Sequence, residues 1–417
     1  MIEKTKNLIY YLLKKSQKFT GTDNIYIATQ GSYLTFGNII STISSIFLAM
    51  AFARLLPKET YGQYQYILSI ITIIGIAALP GMEAAIIQAT ARGFEGTFKK
   101  ALETRFKWGL WGGIASIVIG IFFLLIKHNL NLSISFLIAG FFFPFMETSI
   151  SYLSYLAGKK LFGIQVKYST LSQIISAIII IIALLLTKNL IILILIYFLS
   201  NTALRMYFLL QTLKKYPPNT NHDSESVSFG KHLTAVEIIN TVSGQLANIL
   251  LFNFLGATQL AIYSFVTLPA KEILYFLKNI RQIVLPKLAA RTKEEIKKTL
   301  FKKIGKSFLI VVPIITFYII AAPYLYKIFF PQYMESVFYS RLFSLTLLTF
   351  PLTMLGITFE AKMMKKQLYQ IGILSSIFKI IILLIMTPIY GILGVVIAQL
   401  LSQVFNAILM VLFFKKI

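Results

Sequence analysis

Cysteine is absent from all 417 residues, which excludes disulfides and thiolate-held metals and leaves no sign of a redox compartment. Histidine is scarce. His128, His222 and His232 stand apart in sequence, so neither a metal site nor a nucleophile–base pair is legible. Acidic residues number only 15 against 40 lysines and arginines, a formal net charge of +25. Charged residues as a class are nevertheless few, at 13%, while apolar residues make up 57%. That balance is far from a soluble domain's. With no soluble domain to present a basic face, the charge does not read as a nucleic-acid surface. The first 31 residues carry charges throughout and no small-residue cleavage site, so they do not read as a signal peptide.

What the chain has in quantity is long apolar runs, near 32–53, 64–90, 107–126, 132–157, 168–187, 189–210, 233–253, 259–286, 306–328, 340–361, 367–387 and 390–414. About 20 helical residues cross a bilayer's hydrocarbon core, and in lipid only helices or closed barrels satisfy every backbone polar group. The expected fold is therefore an all-α polytopic membrane protein of about 12 transmembrane helices.

Basic residues fix an orientation. Thirty of the 40 fall on the termini and on alternate connections; the other connections carry Arg54, Lys58, Lys127, Lys188, Lys327 and Arg341. The positive-inside rule makes the rich side cytoplasmic, with both termini there. Much of the net charge is this signal, together with attraction to anionic lipid headgroups. Three basic stretches have an amphipathic pattern expected to lie at the membrane surface. They are the N-terminal segment 1–31, the run Phe94, Phe98, Leu102, Phe106, and the run Ile296, Leu300, Ile304.

The longest polar break, 211–232, divides the chain into an N-lobe over 32–215 and a C-lobe over 233–417, joined by a linker at 216–232. An echo at an offset of 199 supports the division: Leu56-Pro57 with Tyr64 returns as Leu255-Gly256 with Tyr263, and Ser41-Thr42 returns as Asn240-Thr241. Six crossings bring the chain back to its starting side. Two such lobes are expected to be related by a pseudo-two-fold axis along the membrane normal, with a substrate site between them.

Ala53-Arg54-Leu55-Leu56-Pro57, Tyr61-Gly62-Gln63-Tyr64 and Leu79-Pro80-Gly81 resemble the N-terminal signature of the polysaccharide-biosynthesis flippases. These are the O-antigen and capsule-repeat exporters of the multidrug/oligosaccharidyl-lipid/polysaccharide exporter superfamily. Phe254-Leu255-Gly256 with Tyr263, and Leu285-Pro286-Lys287-Leu288, are similar to that family's second lobe. The resemblance implies a protein of the bacterial inner membrane that flips a polyprenyl-diphosphate-linked oligosaccharide to the outer leaflet. Its implied partners are that lipid-linked oligosaccharide, membrane lipids, a polysaccharide polymerase and glycosyltransferases. No cofactor or metal is implied, beyond coupling to H⁺ or Na⁺.

The residues supply candidate sites. Lys271, Lys278 and Arg281 lie at i, i+7 and i+10 of the eighth span, within about 80° around a helix. A cation near mid-membrane costs roughly 3 kcal/mol on insertion scales, so these need water, partners or an anionic substrate such as a diphosphate. Lys278 and Arg281 can also snorkel to headgroups. Glu237, Asn240, Gln245 and Asn248 recur on one face of span seven, echoed by Asn38, Ser41 and Ser45 in span one; they line a polar cavity or mediate helix packing. The buried carboxylates Glu83, Glu147 and Glu237 are candidates for ion coupling, with pairing to lysines of the opposing lobe as the alternative for the first two. A cation-coupled multidrug or small-molecule exporter shares the architecture but calls for an acidic or aromatic pocket. A glycan polymerase calls for a large external loop, and every external connection here is short.

Overall fold

The structure is a computed structural model that describes residues 24–289 and 292–415; within it the side chains of 24–32, 275–287 and a few isolated positions lie outside the description. The surface helix expected over residues 1–31 falls almost wholly outside the described residues.

Among the described residues every regular element is helical, as apolar chain in lipid requires. The first half comprises α1 (Asn24–Leu55), α2 (Lys58–Ile74), α3 (Met82–Ala91), α4 (Thr97–Leu125), α5 (Leu130–Ser149), α6 (Tyr152–Gly158), α7 (Phe162–Leu186) and α8 (Leu190–Lys215). The second comprises α9 (Ser224–Leu255), α10 (Ala257–Ala289), α11 (Lys293–Phe329), α12 (Ser336–Ser344), α13 (Thr353–Ala361) and α14 (Lys365–Lys415). The pair α2–α3 bends by 47° where Leu79 adopts φ +55 and Pro80 has no N–H to continue the helix.

Among the described residues nine helices are long and apolar enough to cross a bilayer, and the bent pair makes ten. The 51 residues of α14 would extend about 76 Å if straight, more than twice a hydrocarbon core. The helix turns back at Gly391, whose φ of +57 and ψ of −133 a residue with a Cβ disfavours, and so it supplies two crossings. The remaining crossing is α10, whose Lys271 and Glu272 lower its hydropathy. Twelve crossings result, matching the hydropathy pattern.

Each half packs chiefly on itself. In the first, α4 packs on α5, α1 on α7 and α5 on α8; in the second, α9 packs on α14 and α10 on α12 and α13. Close approach of α4 and α5 depends on Gly113 and Gly140, each of whose Cβ positions lies 2.7 Å from the other's carbonyl oxygen, the small-residue contact typical of membrane helices. The halves meet along α2 and α3 against α9 and α10. The helices α2 and α10 begin at Lys58 and Ala257, 199 positions apart, so the echo in the sequence is an echo of helix boundaries.

Of the polar break, only 216–223 is irregular. Asp223 caps α9 by accepting from the Glu225 N–H (3.0 Å) and pairs with Arg92. The Gly96 N–H donates to the Asn221 carbonyl (2.8 Å) and the Tyr155 hydroxyl to the Tyr216 carbonyl (3.0 Å). Nearby, Lys159 pairs with Glu95 at 2.8 Å. Burial opposes the Glu95 charge, but Lys159 and Tyr155 outweigh it and hold its carboxyl below the usual range.

Of the amphipathic stripes expected at the membrane surface, that of Ile296, Leu300 and Ile304 faces the protein instead, and that of 94–106 does so in part, with Phe94 exposed. Phe98 is fully buried, stacked on Tyr155 with centroids 4.4 Å apart. Ile296, Leu300 and Ile304 join a cluster with Leu288, Phe359 and Phe414. A dry protein contact removes their apolar area from water more completely than a headgroup layer does.

Candidate functional site

On the basic-poor face the halves are sealed together. Lys58 pairs with Glu335, and Arg54 donates to the Ile328 carbonyl. The Gln332 amide donates to the Arg54 carbonyl (3.2 Å), and the rings of Tyr61 and Phe265 lie 5.2 Å apart. Beneath this seal α2 and α10 touch backbone to backbone: a Cβ on Gly62 would stand 1.8 Å from the Ala257 carbonyl oxygen.

Below the seal lie three chambers that share lining residues. One, of about 320 Å³, is lined by Ser41, Thr42 and Ser45 of α1, Gln173 of α7 and Lys271 and Glu272 of α10. It lies between the halves. A second, of about 330 Å³, runs into the first half and shares Ser45 and Gln173 with it; Ser172, Ser176, Tyr197, Asn201 and Arg205 also line it. The third, of about 380 Å³, shares Tyr197 and Arg205 with the second and adds Glu147, with Glu237 and Thr241 of α9. Polar groups from both halves thus line three neighbouring chambers.

Lys271 lies on the first chamber with its side chain accessible. Glu272 accepts from the Ser45 hydroxyl at 3.1 Å, across the junction between the halves. Lys278 and Arg281 follow on the same continuous helix, but their side chains lie outside the described residues. Glu237 lines the third chamber. Its neighbours on span seven are engaged otherwise: Asn240 accepts from Ser376 (2.9 Å), and the Asn248 amide donates to Ser69 (2.8 Å) and to Gln245 (3.3 Å). The bonds to Ser376 and Ser69 run between helices, from α9 to α14 and to α2, and the bond to Gln245 stays within α9. Asn38 is half-buried, has partners and does not line the chambers.

Glu83 and Glu147 are paired with arginines of their own half. Arg105 is 1% exposed; its guanidinium lies 3.4 Å from Glu83 and donates to the Ser151 hydroxyl at 3.0 Å. Arg205 stands 3.8 Å from Glu147 and donates to the Met146 carbonyl. Both arginines escape a sequence reading because each sits near the basic end of a long helix, where it counts as a connection charge. Their signal was the carboxylates themselves, since a glutamate inside a span needs a partner. Glu237 has no ion pair among the described residues.

Residues 51–337 match the model of a family described as polysaccharide biosynthesis protein. A comparison with curated proteins gives no match. Among solved structures, the chain superposes on lipid II flippase MurJ in an inward closed conformation, with a TM-score of 0.68 and 14% identity over 91% of this chain and 87% of that one. It superposes on an outward-facing multidrug resistance MATE family transporter of the MOP superfamily, with a TM-score of 0.59 and 13% identity over 94% and 95%. A MOP superfamily transporter from Pyrococcus furiosus, whose binding pocket is described as having reverse polarity, gives a TM-score of 0.59 and 14% identity over 94% and 95%. At such identities the likeness is one of fold, the twelve-helix, two-lobed arrangement.

Proposed function

The chain belongs to the polysaccharide biosynthesis protein family, and from that premise we propose that it is a flippase for polyprenyl-diphosphate-linked oligosaccharide. The basic face is cytoplasmic, in the bacterial inner membrane, and the cargo crosses to the outer leaflet by alternating access for assembly of a surface polysaccharide. The observation that carries this reading is Lys271, a cation set on a polar space between the halves. An ammonium within a membrane span is costly when empty-handed, and a diphosphate is the anion such a cargo brings. In this reading the cargo loads from the cytoplasmic leaflet, where the lipid-linked glycan is made. Deleting the gene is expected to leave the lipid-linked oligosaccharide accumulating on the cytoplasmic face, with the surface glycan lost. Unchanged display in the deletion strain would refute the proposal.

A cation-coupled exporter of small molecules has one observation in its favour, the unpaired Glu237 on the third chamber. In the flippase reading that carboxylate is the coupling group. Glu83 and Glu147 are held by Arg105 and Arg205 and serve the structure. Glu237→Gln is therefore expected to abolish the response of transport to an imposed proton or sodium gradient, with cargo binding retained. A gradient response equal to the parent's would remove Glu237 from the coupling mechanism.

A further inference from the structure

We infer that the chamber inside the first half is a saccharide subsite that takes the uncharged sugars of the cargo, while the adjacent Lys271 chamber takes its diphosphate. The inference rests on the flippase reading and adds where the glycan sits and which glycan chemistry fits. Its first support is the chamber wall. Ser172, Gln173, Ser176 and Asn201 lie well inside α7 and α8, at depths where polar side chains must meet water, a partner or a ligand. Ser176 is bonded across the two helices to Ser200 and Asn201, and the four residues also border an open volume of about 330 Å³.

The amides are fixed in place. Asn201 donates its NH₂ to the Ser176 hydroxyl (3.0 Å) and the Tyr197 carbonyl (2.9 Å), and Gln173 donates to the Ser41 carbonyl (3.0 Å). Neither amide oxygen accepts a bond among the described residues. An oriented amide with a spare acceptor suits the hydroxyl or acetamido N–H of a sugar, and Tyr152 and Tyr197 add ring surface to the same wall.

Charge sets the polarity of the cargo. The one charged side chain on this chamber, Arg205, is met by Glu147 at 3.8 Å, so a carboxylate-bearing sugar would have to displace a partner already in place. Among the described residues Lys271 is the one cation lining the other chamber, and the neighbouring carboxylate of Glu272 is bonded to Ser45, so the ammonium is the group left to an anion. Ser45 and Gln173 line both chambers, so the two are adjacent and a single cargo would have its diphosphate in one and its sugars in the other.

The test is equilibrium binding to the full-length protein in lipid nanodiscs, using three probes: polyprenyl diphosphate alone, the same lipid bearing an N-acetylhexosamine disaccharide, and the same lipid bearing a disaccharide that ends in a uronic acid. The neutral disaccharide should raise affinity about tenfold over the bare lipid, and the uronate should add nothing. Asn201→Leu, which removes a fixed amide, and Ser172→Leu, which fills the chamber, should each remove most of the tenfold increment and leave bare-lipid binding, which reports an intact fold, unchanged. Equal binding of the bare and neutral probes, an increment that survives both leucine variants, or tighter binding of the uronate would each overturn the subsite. If the parent protein binds none of the three probes, the flippase reading itself fails, and the subsite with it.

Discussion

Lys271→Ala yields a protein that inserts, folds and no longer exports glycan. The expectation follows from two opposed terms. In the empty protein an ammonium at this depth costs roughly 3 kcal/mol on insertion scales, so alanine makes insertion easier. In the loaded protein the same ammonium meets the cargo's diphosphate, and a charge-assisted contact in a partly dehydrated space is worth about 1.5–3 kcal/mol, or roughly ten- to a hundredfold in binding. Because Ser41, Ser45 and Gln173 around Lys271 are neutral and Glu272 is turned to Ser45, no nearby cation of α1 or α7 replaces it. Lys271→Glu should be worse than alanine, since it adds repulsion. Lys271→Arg should retain part of the function, because charge survives while geometry changes. Surface glycan normalised to expression, in a strain lacking the parent gene, measures each. Full display by a well-expressed alanine variant would remove the anion site from the account.

Gly62→Leu is the second large effect. The Cβ position of Gly62 lies 1.8 Å from the Ala257 carbonyl oxygen and 2.9 Å from its Cα, so any side chain meets backbone rather than a movable group. Either α2 and α10 separate, or one helix end unwinds. Both outcomes open the seal made by Lys58 with Glu335 and by Tyr61 against Phe265. The variant should therefore lose the closed arrangement of the outer face and, with it, transport. Since the chain has no native cysteine, Lys58→Cys with Glu335→Cys reports the seal cleanly through a short bifunctional thiol reagent. Cross-linking should be efficient in the parent background and fall about tenfold or more with Gly62→Leu, a loss on the scale of ~1.4 kcal/mol in the closing equilibrium. Undiminished cross-linking and transport would show that the helices accommodate the side chain.

The crossings were legible because a bilayer imposes one length and one composition, and even the turn within α14 shows as the short gap between 387 and 390. The pairing of α2 with α10 was legible as the echo at 199. The polar face of span seven was visible, but periodicity says only which residues share a face. Which neighbour covers that face is decided by tertiary packing, and here Ser69 and Ser376 take up Asn248 and Asn240 while Glu237 is left to the cavity. Arg105 and Arg205 were hidden for a different reason: a charge eight or ten residues from a helix end looks like a connection charge until the helix is seen to continue past it. The serines of α7 carried no signal at all, since a hydroxyl in a membrane helix can bond its own backbone and passes as neutral.

The most direct measurement of the central claim is flipping by the purified protein. Proteoliposomes would carry a polyprenyl-diphosphate-linked oligosaccharide, and an impermeant glycosidase outside would report the glycan that reaches the outer leaflet. The account predicts that, when all external glycan is first removed, further glycan becomes cleavable only in vesicles holding the parent protein, and that Lys271→Ala vesicles match protein-free ones. Vesicles in which the parent protein moves no glycolipid but expels a cationic dye would contradict it.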